Sequence, residues 1–116
     1  SGSARTGVLI YAKQLDKVSS FYEQVLGAKV LHADSEHRVL QSPDVQLINH
    51  YCRTTRAAEE QAIKPFFTVE SLVTAERIAE EYGGKVWGPL WPGPSLRARN
   101  ICDPEGNIVH LRERTV

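Results

Sequence analysis

The sequence predicts an α+β fold: two tandem βαβββ modules forming a curved mixed sheet around a cleft, with the helices on its convex side. Three observations carry this expectation. Short runs of β-favouring residues bracket two stretches of helical period, so the order strand, helix, three strands occurs twice. Glycines stop both helices at matching places, since Leu26-Gly27-Ala28-Lys29-Val30 corresponds to Tyr82-Gly83-Gly84-Lys85-Val86. A second correspondence joins Ser42-Pro43-Asp44, followed by Val45-Gln46-Leu47, to Asp103-Pro104-Glu105, followed by Val109-His110-Leu111. Each module has one helix and one half-covered sheet. Neither closes a core alone, so the two must pack together, within the chain or across a dimer.

In chain order, Gly7 to Ala12 reads as a buried strand. From Leu15 the period changes: Val18, Phe21, Tyr22, Val25 and Leu26 form one apolar helix face, and Gly27 supplies the C-cap. Lys29 to Ala33, Arg38 to Gln41 and Val45 to Cys52 are the next three strands, closing module one (7–52). Residues 53–63 form the linker, and Thr54 to Ile63, polar and rich in helix formers, could add a helical turn there. Module two (64–114) begins with a strand from Pro65 to Val69, its proline tolerable only at the start. Ser71 is the expected N-cap of a helix whose apolar face is Leu72, Ala75, Ile78, Ala79 and Tyr82. A strand from Val86-Trp87 runs into a Pro/Gly-rich loop, Gly88 to Pro94, which carries Trp91. Leu96 to Cys102 and Ile108 to Glu113 complete the set. Between them Pro104 fits the second position of a turn and Gly106 a positive φ.

At 116 residues the chain is read as one domain, 1–116. Fourteen basic side chains balance fourteen acidic ones, which argues against a nucleic-acid surface. No apolar run is long enough to span a membrane. Cys52 and Cys102 read as reduced thiols of a cytoplasmic protein rather than a disulfide framework, and Ser1-Gly2-Ser3 as a cloning remnant or frayed end.

Strand parity nominates the site. In the last strand Ile108, His110 and Arg112 share one face, and Val109 and Leu111 the other. If His110 and Gln46 face the cleft, then Leu9, Tyr11, Ile48, His50, Phe66 and Ile108 line it as well, joined by Trp87, with Trp91 above the mouth. This mixture of aromatics and a few polar groups suits a small-molecule pocket, while the plainer alternative is that Phe66, Trp87 and Ile48 fill core. Arg97 and Arg99 share one strand face that is expected to avoid the helices, so either they line the cleft, where they would favour a carboxylate or phosphate, or they form a solvated edge-strand face. His32 and His37 read as solvated. No Ser/His/Asp set, phosphate-cradling glycine loop or CxxC pair is present.

Two motifs, Phe21-Tyr22-Glu23-Gln24-Val25-Leu26-Gly27 in the first helix and Asp103-Pro104-Glu105-Gly106-Asn107-Ile108-Val109-His110-Leu111 in the last hairpin, give a family resemblance. In this order, on a duplicated βαβββ unit, the chain resembles the vicinal oxygen chelate superfamily, which includes glyoxalase I, extradiol dioxygenases, methylmalonyl-CoA epimerase and the fosfomycin and bleomycin resistance proteins. The resemblance implies metal-ligand positions at Gly7, Gln46, Lys64 (or Pro65) and His110. Only the last of these is a good ligand, so no metal and no other cofactor is expected. The chain is closest in character to the metal-free bleomycin-resistance branch, which implies sequestration by a homodimer with clefts shared between chains. Because the chain is neutral and offers arginines, an aromatic, neutral or anionic ligand is expected rather than a cationic drug. The alternatives are a glyoxalase- or epimerase-type lyase or isomerase, or a dioxygenase, with a non-standard metal site, and a metal-free enzyme using His110 as general base with Tyr11 as donor. His110 is the candidate catalytic residue in either case.

Overall fold

In the computed structural model, which describes residues 7–43, 45–53 and 64–115, period-two segments become strands and period-3.6 segments helices, in the repeated order the sequence predicts. Module one comprises β1 (Gly7–Ala12), α1 (Leu15–Leu26), β2 (Lys29–Ala33), β3 (His37–Gln41) and β4 (Gln46–Tyr51). Module two comprises β5 (Phe66–Thr68), α2 (Leu72–Glu81), β6 (Lys85–Pro92), β7 (Leu96–Cys102) and β8 (Ile108–Arg114). The helical turn expected within Thr54 to Ile63 lies outside the described residues, as do Asp44 and the first three residues.

The strands form two four-stranded sheets, β1-β4-β3-β2 and β5-β8-β7-β6, with identical order and the same mixture of one parallel and two antiparallel pairings. Each sheet presents one face to a helix. Ile10, Ala12, Leu40 and Leu47 from the first sheet and Phe67, Ile101, Val109 and Leu111 from the second join residues of α1 and α2 in one buried cluster. The core is therefore common to both modules, as the half-covered sheets require. Cys52 and Cys102 are not joined by a disulfide, and Cys102 is buried.

Helix boundaries follow local chemistry. Gly27 takes the left-handed conformation (φ 64°) and ends α1. Ser71 caps α2 by accepting from the Thr74 amide, and the Leu72 amide donates to Glu113 Oε1 at 2.6 Å. Gln14 gives α1 no side-chain cap. Its start is held instead by Glu105, from the turn between β7 and β8, which accepts from the Lys13 amide (2.7 Å) and from the Gln14 amide.

That turn, residues 103–107, clamps the two modules. Asp103 accepts from the Glu105 amide (2.9 Å), the Asn107 amide (3.0 Å) and Asn107 Nδ2 (2.8 Å), while Gly106 adopts φ 87°. The buried Asp103 carboxylate also accepts from the hydroxyl of fully buried Tyr22 at 2.9 Å. Phe21 packs edge-on against Tyr22 and lies beneath Gly84 of module two. A Cβ at Gly84 would come within 2.4 Å of the Phe21 ring. The two motifs that carry the family resemblance thus meet in space as one structural joint.

β6 departs from expectation. The stretch Gly88 to Pro94 is not a loop throughout, because β6 runs to Pro92 and pairs again with β7 after a register shift between Trp87 and Trp91. Gly88, at φ 90°, accommodates the irregularity. Trp91 belongs to this strand, with its ring over Gly93 rather than on a free loop.

Candidate functional site

The faces of the two sheets turned away from the helices carry most of the nominated residues. In β1 and β4 the buried positions alternate with Leu9, Tyr11, Gln46, Ile48 and His50, which are half-buried or exposed. Register places Tyr11 opposite His50 and Leu9 opposite Ile48, so each pair shares this open face. In the second sheet Phe66 pairs with His110, His110 with Asn100, and Asn100 with Trp87. Trp91, opposite Ala98, is on the same face, and so is Ile108, although Ile108 is buried. Tyr11, Phe66 and Trp91 each expose more than half of their surface, at 57%, 57% and 56%. A row of half-naked aromatics along one face is the surface an aromatic ligand would cover. At the junction of the modules a cavity of about 690 Å³ opens between Val8, Val45, Phe66 and Phe67, with Lys64 and Arg114 at its polar side.

Arg97 and Arg99 are not on the open face. Register puts Arg97 beside Glu113 and Arg99 beside Leu111, on the helix side. Arg97 pairs with Glu113, and Arg99 with Glu76 of α2 at 3.4 Å. The expectation that two arginines would avoid the helices fails because α2 and β8 supply carboxylates to receive them. One cation that does reach the open face is Arg112, opposite Thr68, with its guanidinium 4.0 Å from the centre of the Phe66 ring. Parity alone places Arg112 on the same face as His110, but nothing in the sequence shows that Arg97 and Arg99 are already paired.

His110 is held by its neighbours. Its Nδ1 lies 3.0 Å from Asn100 Oδ1, an acceptor, so Nδ1 carries the proton and donates. Nε2 is left with its lone pair. Burial, then the Arg112 charge, then Lys64 push the His110 pKa below its ordinary value, which keeps the ring neutral. In the first sheet His50 donates from Nδ1 to the Tyr51 carbonyl (2.8 Å) and packs against Tyr11 and His37, with ring centroids 5.6 and 4.5 Å away. Tyr11 is therefore a partner of His50. Gln46 Nε2 reaches Gln41 Oε1 at 3.5 Å. His32 and His37 both contact Asp34, so they are not purely solvated, and the His32 hydrogen bond leads in depressing the Asp34 pKa.

The hairpins correct the internal repeat. Gln41 with Gln46 closes the first turn and Cys102 with Ile108 the second, so Gln46 is equivalent to Ile108 and Ile48 to His110. Gln46 and His110 share a face but are not symmetry mates. The sequence match fails because apolar-polar-apolar triplets align equally well when slid by one pleat.

The residues do not fit the metal that the resemblance implies. A Cβ at Gly7 would lie 2.7 Å from the Gln46 carbonyl oxygen, so no ligating side chain fits there on this backbone. The counterpart of His110 is Ile48, and the residue facing it across the parallel ladder is Phe66 rather than Lys64. Among the described residues no three His, Cys, Asp or Glu side chains are grouped to hold a metal ion.

Similarity to known proteins agrees with the architecture. No curated protein sequence matches the chain. Among solved structures, a glyoxalase/bleomycin resistance protein from Albidiferax ferrireducens T118 superposes with a TM-score of 0.75 at 18% identity, covering 97% of this chain and 99% of that one. The fosfomycin resistance protein FosX from Mesorhizobium loti gives 0.75 at 14% identity, covering 100% and 96%. A bleomycin-binding protein complexed with bleomycin gives 0.69 at 15%, covering 97% and 99%. These likenesses establish the fold. The model of the Glyoxalase/Bleomycin resistance protein/Dioxygenase superfamily matches residues 6–111, and the chain belongs to that superfamily, the vicinal oxygen chelate proteins.

Proposed function

We propose that this protein binds a small organic molecule on the open sheet face without a metal ion, sequestering an aromatic ligand that is neutral or anionic. The observation that carries the reading is the make-up of that face. Tyr11, Phe66, Trp87 and Trp91 are exposed on it, and the charged strand residues there are Lys29, Lys85, Arg112 and Arg114. The single carboxylate within the described strands, Glu113, is on the helix side. A cationic drug of the bleomycin kind would meet only like charge, whereas a neutral or anionic aromatic would not. The half-exposed apolar face supports a homodimer in which a second chain completes each cleft. The unbridged cysteines accord with a reducing compartment such as the cytoplasm.

A second reading, an enzyme without metal, is favoured by one observation: Asn100 fixes the His110 proton on Nδ1, leaving Nε2 as a base. The two readings share the site and differ in turnover. Amide and indole NMR shifts on adding neutral and anionic aromatics test them together. Perturbation confined to Tyr11, His50, Phe66, Trp87 and His110, with the ligand recovered intact, supports binding. Conversion of the ligand that stops on changing His110 to Ala supports the enzyme. Perturbations confined to the helices would refute both.

A further inference from the structure

We infer that the ligand is an aromatic carboxylic acid and that Arg112 is the anchor for its carboxylate. The inference rests on the binding reading above and deepens it. Four arginines among the described residues are half-buried. Arg38 pairs with Asp16, Arg97 with Glu113 and Arg99 with Glu76. Arg112 alone of the four has no carboxylate, and its guanidinium makes no hydrogen bond to any described residue. Its Nε is buried without a partner, as are those of Arg97 and Arg99, but those two charges are answered by Glu113 and Glu76, and an unanswered charge in such surroundings is costly.

The surroundings hold this cation ready for an anion. The guanidinium carbon lies 4.0 Å from the centre of the Phe66 ring, and the two terminal amino groups suit the two oxygens of a carboxylate. Lys64, close enough to His110 to disfavour its protonation, adds positive potential, and no carboxylate on the strands opposes it. One pleat along β8, His110 presents the Nε2 lone pair, which takes a hydroxyl or N–H donor of the same ligand. Trp87, in register with Asn100 beside His110, supplies an apolar surface for the ring. The matching chemistry is an aromatic acid that also carries a hydrogen-bond donor.

The test compares 4-hydroxybenzoate and 4-hydroxyphenylacetate with their primary amides, by calorimetric titration of the full chain. The acids are expected to bind at least about tenfold more tightly than the amides, a hydrogen-bonded charge being worth that much. Changing Arg112→Met should abolish the preference while leaving amide binding, and Arg112→Lys should restore only part of it. Phe66→Leu, which removes the platform but no charge, should also weaken the preference, so the inference stays testable if Arg112→Met fails to fold by circular dichroism. Equal binding of acid and amide overturns this inference and leaves the binding reading standing. Binding of phenyl phosphate while both carboxylates fail overturns the assignment to a carboxylic acid. Binding by neither member of either pair overturns the inference, and absence of any NMR response to aromatics overturns the binding reading as well.

Discussion

His110 sits where burial and two cations all oppose a positive charge. In the folded chain its pKa is lowered, so folding is opposed by acid. The stability tied to a neutral ring is present above 6.5, the ordinary value, and is lost as pH falls through the lowered one. An NMR titration of the His110 ring should find its midpoint below 6.5, moving upward on Arg112→Met. A midpoint at or above the ordinary value would contradict the arrangement. Tyr22 gives the opposite test. Burial first, then the Asp103 charge, raise its pKa well above 10.0, so its contribution is intact below that value and is lost as pH rises through the raised one. Tyr22→Phe should cost about 2 kcal/mol in denaturant unfolding at neutral pH, because a buried carboxylate loses a donor, and should blunt the loss of stability in alkali. The facing of His110 is legible in the sequence alone, because period two is a local rule. Its tautomer is not, since Asn100 comes beside it only through the register of β7 on β8.

At the scale of elements, the joint between α1 and the turn at 103–107 does what an N-cap side chain does elsewhere. Glu105→Ala removes the acceptor for two amides at the start of α1, and hydrogen exchange there should speed up while α2, capped by Ser71, keeps its protection. Gly84→Ala should destabilise the fold by about 1–3 kcal/mol, since the Phe21 ring and the Cys102 carbonyl leave no room for a methyl group. Both motifs stand out in the sequence, yet their union does not, because nothing local connects Tyr22 to Asp103. The orientation of β7 is hidden for a related reason. An arginine facing a helix is ruled out by solvation until a carboxylate is placed beside it, and Glu76 and Glu113 come from other elements. β6 is longer than its sequence suggests because Gly88 and Pro89 signal a loop, whereas at a sheet edge a bulge absorbs both.

For the whole molecule, duplication explains why order, pairing and helix placement are legible from the chain alone: each module repeats the same alternation and the same glycine stops. Function is less legible because it depends on which charges remain unpaired after folding, and that is a property of the assembled faces. Among the described residues, the charged side chains on open strand faces are cationic, and the carboxylates are on helices, turns and the covered side. If a second chain completes the cleft, light scattering at working concentration should give a dimer mass; a monomer would refute that part of the account.

Binding without a metal is tested by thermal unfolding of metal-stripped protein with Ni²⁺, Zn²⁺, Mn²⁺ and Fe²⁺ on one side and aromatic and anionic metabolites with glycopeptide drugs on the other. A ligand specific to the folded state at a hundredfold excess over its Kd adds about 2.7 kcal/mol. A raised midpoint is expected with an aromatic acid and none with the metals. Stabilisation by a stoichiometric metal that disappears on His110→Ala would contradict it.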